Sequence, residues 1–178
     1  YSKKKKNLIK FIKKKGMGDL LIVCETNNIN SASINKQVEL NKTKNNIIST
    51  YPGEIVKNSS LLNNKLLHCH PGNLPEFKGS TTIYYSILLK KKICVTLFII
   101  GKSIDTGRIV YKKFFKNPKI LSNIEKKFDD KIRALTLIQF LKSKKKYNFK
   151  KVKDVYLPYY IAHPIIRQLV VNKNNISL

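Results

Sequence analysis

Apolar and polar positions along this chain fall into short blocks whose period changes from one block to the next. Leu8, Ile9, Phe11 and Ile12 stand between lysine runs at roughly helical spacing and end at Gly16 and Gly18, which predicts a basic amphipathic helix over Ser2 to Lys15, packed on a sheet. Asp19 to Cys24, DLLIVC, is a continuous apolar run, the mark of a strand covered on both faces. Residues 26 to 46 are polar, with a weak helix expected from Ser33 to Leu40. Asn46 to Tyr51 reads as a second strand, followed by a Pro52-Gly53 turn and a short apolar segment ending at Leu62. Lys65 to His70 reads as a third strand, closed at once by Pro71-Gly72.

The second half is more strongly patterned. GSTTIYYSILLK, Gly79 to Lys90, begins with capping residues and continues at helical spacing through Ile83, Ser86, Ile87 and Lys90. Lys92 to Ile100 is rich in β-branched residues and predicts a strand, and Arg108 to Phe115 predicts another. Asp105-Thr106-Gly107 makes the tight turn that joins them as a hairpin. Ile124, Phe128, Ile132, Leu135, Ile138 and Leu141 mark a long helix from Ile124 to Lys142 with those residues on its buried face. The tail turns at Pro158 and then offers aromatic and apolar residues that cap the core. Strands separated by helical or loop crossovers give an α/β sheet, and no repeat or boundary divides the 178 residues into more than one domain.

Composition narrows the partners. At 42% hydrophobic the chain belongs to the folding proteins. Its formal net charge is +26, which draws anionic substrates, yet only Arg108, Arg133 and Arg167 among 36 basic residues are arginines. Bidentate reading of phosphates and guanines leans on arginine, and the lysines are spread along the whole chain, so nucleic acid is the weaker reading. Cys24, Cys69 and Cys94 are odd in number and lack CxxC spacing, which argues against a disulfide framework and for a reducing cytoplasm. No stretch reaches the roughly 18 apolar residues of a membrane span.

The densest chemistry is HCHPGNLPEFKG, residues 68 to 79. On a strand, residues i and i+2 share a side, so His68 and His70 project together and Cys69 faces the other layer, away from any nucleophilic role. A ligand crevice is expected beyond the carboxyl end of this strand. Asp105, in the hairpin turn, is the candidate partner that orients His70, while its alternative is a simple turn-former. A neutral or protonated imidazole there can donate to an oxygen that becomes negative. The rival is HxH metal ligation with a distant carboxylate, and it lacks an evident third histidine ligand because His163 sits in the tail.

Taken together, HCHPGNLPEFKG, the following helix and VTLFIIGKSIDTGRIV resemble the catalytic core of the folate-dependent formyltransferases, the family of glycinamide ribonucleotide, methionyl-tRNA and sugar amine N-formyltransferases. The family pattern is Asn-x-His-Pro-Ser-Leu-Leu-Pro and a glycine, then Gly-Val-Thr and an Asp-x-Gly turn. Here Leu74-Pro75, Gly79, Val95-Thr96 and Asp105-Thr106-Gly107 fall in register, with Asp105 standing 35 residues beyond His70. The resemblance implies a Rossmann-like α/β domain with a mostly parallel sheet and 10-formyltetrahydrofolate as formyl donor. It implies that His70 stabilises the oxyanion formed when an amine attacks the formyl carbon, and that Asp105 orients it and relays a proton through water. Tyr51 to Val56 resembles the folate-contacting turn, which makes Gly53, Glu54, Ile55 and Val56 candidate folate contacts, joined by the backbone of Gly101, Lys102, Ser103 and Ile104.

Two departures stand out. The family asparagine that holds the formyl oxygen falls on His68, and the glycine before Val-Thr has become Cys94. Family members also open with a buried strand and a glycine turn ahead of the first helix, so a chain opening on that helix at Tyr1 is expected to be N-terminally truncated and to lack its first strand. The expected reaction is formyl transfer to a small primary amine of anionic character, a nucleotide-linked amino sugar, because the tRNA-specific members carry a further domain. Glycinamide ribonucleotide and methionyl-tRNA are the alternatives within the family, and a basic RNA-binding module is the alternative outside it.

Overall fold

The computed structural model describes residues 10, 13–16, 28–40, 46–49, 54–63, 65–89, 92–118, 124–143, 150–151 and 159–173. The expected strand at 19–24, most of the helix at 2–15, Gly53 and the Pro158 turn lie outside them. In chain order the described elements are α1 (Ala32–Leu40), β1 (Asn46–Ile47), α2 (Ser59–Asn63), β2 (Leu66–His70), β3 (Lys78–Ser80), α3 (Thr82–Leu88), β4 (Ile93–Ile100), β5 (Gly107–Phe115), a π-helical turn (Ile124–Asp129), α4 (Asp130–Lys142), β6 (Lys150–Lys151), β7 (Tyr159–Ile161) and α5 (Pro164–Lys173).

Five strands form one mixed sheet in the order β1-β2-β4-β5-β6, and β3 pairs with β7 in a second, parallel sheet. The expected parallel arrangement holds between β1 and β2. On the other side the described pairs β2/β4, β4/β5 and β5/β6 are antiparallel, and for β4/β5 the short turn at 101–106 permits nothing else. β4 is the spine of this sheet. Its residues Ile93 to Phe98 are all buried, as a strand covered on both faces requires.

On one side, Ile93 and Val95 pack with Ile83, Tyr84, Ile124, Ile132, Ala162 and Val170. Farther along the sheet, Leu67 and Leu97 pack with Val110 and Phe140. Cys69 touches both groups and so faces these layers. Beyond β1, Val56, Leu61 and Leu66 form a smaller cluster backed by α1. A methyl-rich side chain fully buried in such clusters is worth about 1.5–3 kcal/mol relative to exposure, so these contacts, and not intrinsic propensity, hold the elements together.

Two expectations are corrected, and that of a tail capping the core is borne out. Lys78–Ser80 pairs with Tyr159–Ile161 as a strand, so the helix begins at Thr82 and not at Gly79. The tail beyond His163 forms a helix, α5, whose Val170 enters the core. On α4, Ile132, Thr136 and Phe140 are buried, whereas Leu135, Ile138 and Leu141 are 41%, 48% and 50% exposed. A π-turn carries one extra residue, and the one preceding α4 rotates its apolar stripe away from the phase set by Ile124.

Candidate active site

β2 carries His68 and His70 side by side, with Phe98 and Thr96 of β4 as their cross-strand neighbours. Both histidines line a cavity of about 540 Å³, whereas Cys69 does not. Burial pushes the Cys69 thiol up to about 11, so it is a poor nucleophile as well as a misplaced one. The cavity is not confined to the space beyond the carboxyl end of β2. It extends along the sheet past Phe98 to Ile100, and the turn at Ser103 to Asp105 forms part of its wall.

His70 is 2% exposed and both of its ring nitrogens are engaged. Nδ1 stands 3.4 Å from Asp105 Oδ1, and Nε2 stands 2.8 Å from the Phe77 carbonyl. Both neighbours only accept, so a neutral ring donates to one of them at a time and an imidazolium to both. The other carboxylate oxygen, Asp105 Oδ2, accepts the Gly79 N–H at 2.7 Å. Asp105 leaves the backbone at φ 52, in the left-handed region that aspartate tolerates better than most residues. Burial lowers the His70 pKa more than the neighbouring Asp105 and the Phe77 carbonyl raise it, and Arg133 adds to the lowering. The ring therefore favours its neutral form near pH 7, with one proton for two acceptors, the Asp105 carboxylate and the Phe77 carbonyl.

Two glycines make this arrangement possible. A Cβ at Gly72 would stand 2.5 Å from His70 Nε2 and 2.6 Å from the Phe77 oxygen. Gly79, at φ +118, runs so close to β7 that a Cβ would meet the Tyr160 oxygen at 2.1 Å. The loop between them is pinned from β4 and β5. Thr96 Oγ1 donates to the Gly72 oxygen at 2.6 Å and accepts from the Leu74 N–H at 3.2 Å, while Lys112 Nζ donates to Asn73 Oδ1 and the Leu74 oxygen. The Thr82 hydroxyl donates to the Pro71 carbonyl.

His68 is half-buried. Its Nδ1 lies 3.1 Å from the Ile48 carbonyl, and its ring meets Phe98 edge-on, with centroids 5.8 Å apart and planes at 85°. Its pKa is lowered, burial being the first cause.

Of the residues expected to contact folate, Glu54, Ile55, Val56, Gly101, Ser103 and Ile104 line the cavity, and Lys102 does not. Glu54 Oε1 accepts the Ile29 N–H at 2.7 Å, and Asn30 ties itself to Ile55 and Lys57, so the 54–57 segment is braced rather than loose. Ile48, Ile55, Phe98, Ile100 and Ile104 give the cavity apolar surface suited to a flat heterocycle, and its volume is that of ordinary small-molecule sites. No group of three or more histidine, cysteine, aspartate or glutamate side chains among the described residues could hold a metal ion.

One wall escaped the reading of the sequence. Glu125, Lys126, Asp129, Asp130 and Arg133, from the π-turn and the start of α4, also line the cavity. Arg133 stands 3.9 Å from Asp129, whose Oδ1 is buried without a hydrogen-bond partner, and burial pushes the Asp129 carboxyl up to about 6. The helical period announced an element that packs, and only the π-turn, invisible in that period, swings these charges toward the sheet.

No protein-family model matches the chain, and no curated protein sequence does so significantly. Among solved structures, HypX from Aquifex aeolicus superposes with a TM-score of 0.53 at 16% identity, covering 83% of this chain and 28% of HypX. A sugar N-formyltransferase from a Shewanella species gives 0.49 at 17% identity, covering 83% of this chain and 65% of that one. A phosphoribosylglycinamide formyltransferase from Bacillus halodurans gives 0.47 at 21%, covering 64% and 62%. The chain thus spans under two thirds of the length of either formyltransferase. The likeness to HypX establishes a shared α/β fold.

Proposed function

We propose that this chain is the catalytic domain of a folate-dependent formyltransferase, moving a formyl group from 10-formyltetrahydrofolate to a primary amine. The observation that carries the reading is His70 held between Asp105 and the Phe77 carbonyl at the edge of the cavity, with Asp105 fixed in turn by the Gly79 N–H. These are the residues on which the family resemblance of the sequence rests. Formyl transfer requires a donor to the formyl oxygen, a place for the amine proton and a slot for a flat heterocycle, and needs no covalent nucleophile.

The folate ring system would lie on Ile55, Ile100 and Ile104, with Gly101, Ser103 and the 54–56 segment beside it. The bound folate supplies the activated formyl group. With its proton on Nε2, His70 presents it to the formyl oxygen in exchange for the Phe77 carbonyl, and the Asp105 carboxylate beside Nδ1 favours the protonated ring as charge develops. Hydrogen bonds of this kind are commonly long before substrate arrives and tighten in the reacting complex, and the 3.4 Å separation is of that sort.

The acceptor is a phosphate-bearing amine, a nucleotide-linked amino sugar being the preferred class, supported by the net charge of +26. The protein acts in the cytoplasm, with residues 1–178 forming one catalytic domain.

Thermal-shift titration with a non-reactive 10-formyltetrahydrofolate analogue tests the reading. Saturable stabilisation in the wild type is expected, about 2.7 kcal/mol at a hundredfold excess over Kd, with a weaker shift in Asp105→Ala. A folded wild type that shows no shift overturns it.

A further inference from the structure

The His68 ring is turned so that the atom it offers to the cavity is an acceptor. Its Nδ1 faces the Ile48 carbonyl at 3.1 Å, and because a carbonyl cannot donate, the proton of the neutral ring sits on Nδ1 and the lone pair on Nε2. The edge-on contact with Phe98 fixes the ring plane. Nε2 has no hydrogen-bond partner among the described residues, and the side chain that carries it lines the cavity. An asparagine in this position would offer an amide, which donates and accepts but has no basic nitrogen.

Asp105 is badly placed to collect a proton itself. One of its oxygens faces His70 and the other accepts the Gly79 N–H, so a proton placed on it would weaken both contacts. His70 has one proton in its neutral form, already sought by a carbonyl and a carboxylate, and is wanted as a donor. Within the row of β2 this leaves His68 as the free base, two residues before His70 and on the same side of the strand.

We propose that His68 is the proton acceptor for the attacking amine, its Nε2 taking the proton that the nitrogen sheds as it bonds to the formyl carbon. The proposal rests on the formyl-transfer reading. His68 then returns that proton to the folate nitrogen as the bond between that nitrogen and the formyl carbon breaks. The amine has exchanged a hydrogen for the formyl group, the folate nitrogen has gained one, and no further reactant is consumed. This replaces the water relay that the family resemblance assigns to Asp105.

The charged and titratable groups that act on His68 are Arg133 from α4, His70 from its own strand and Asp105 from the β4–β5 turn. Burial, Arg133 and His70 lower its pKa, while the Ile48 carbonyl and Asp105 raise it, and the net direction is down. The ring is therefore unprotonated at Nε2 at neutral pH, as an acceptor must be. The rate should fall on an acid limb that lies below the ordinary histidine value of 6.5.

The test combines two readouts on the full chain. Long-range proton–nitrogen NMR, assigned with a His68→Asn variant, is expected to find the His68 proton on Nδ1 and a bare Nε2 at pH 7.5. Formyl transfer from 10-formyltetrahydrofolate to a UDP-linked 4-amino sugar is then followed against pH. In His68→Asn, kcat is expected to drop about a hundredfold or more and the acid limb to vanish, while the thermal shift with the folate analogue persists. A proton on Nε2, or a variant whose kcat stays within about threefold of wild type with the limb unchanged, overturns the proposal alone. A wild type that neither binds the folate analogue nor transfers formyl overturns the formyl-transfer reading and the proposal with it.

Discussion

Asp105 holds His70 and Gly79 at once, and the two contacts separate under substitution. Asn keeps an oxygen for the Gly79 N–H but removes the charge beside His70, whereas Ala removes both partners. Both variants are expected to lose formyl transfer about a hundredfold or more, measured as kcat. Only Asp105→Ala should also lose about 1–3 kcal/mol of stability in urea denaturation, because it leaves a part-buried N–H unpaired. The site's titrating groups pull stability in opposite directions. His68 and His70 have pKa values lowered by burial, so their contribution is complete above about 6.5 and shrinks as pH falls from there toward their folded values. Asp129 is raised from 3.8 to about 6 by burial, so its contribution is complete below 3.8 and is lost as pH rises through about 6. Asp129→Asn should therefore raise the melting temperature at pH 7.5 and by a smaller margin at pH 5. Melts at the two pH values check this, and equal increments would mean that the buried charge is not the cause.

Among the elements, β3 braces the site directly, since its Gly79 N–H holds Asp105. Gly79→Ala forces a Cβ against the Tyr160 backbone and strains a residue at φ +118, so β3 and β7 must part and the N–H that holds Asp105 must move. The expected result is a loss of several kcal/mol together with most of the activity, measured by denaturant midpoint and kcat; normal kcat in a destabilised variant would separate the strand from the chemistry. This is also where the sequence was least legible. β2, β4 and β5 were plain in it because β-branched runs bounded by turn residues are local signals, and His70 with Asp105 followed from the register of two motifs. β3 is three residues long and exists only through pairing with a segment that no local pattern connects to it. The buried stripe of α4 was misplaced for a related reason, since the π-turn resets its phase without changing the composition of the helix. Thr96 and Lys112, which pin the 72–74 loop, were read only as part of a strand.

Over the whole molecule the dominant physical fact is a net charge of +26 on 178 residues. Like charges at this density repel within the folded state, and salt shortens their reach to about 10 Å at 0.1 M and about 3 Å at 1 M. Raising sodium chloride from about 0.05 to 0.5 M should therefore raise the melting temperature while raising KM for a phosphate-bearing amine and leaving kcat nearly unchanged. A KM indifferent to salt would argue for an uncharged acceptor. The pairing of Gly79 with Tyr160 has a consequence in time as well as in space. During synthesis, at about 5–20 residues per second, the 80 residues between them take about 4–16 s to translate. The histidines and the aspartate are thus all outside the ribosome, in one nascent chain, well before the strand that braces them exists, and the site is among the last parts of the fold that can close.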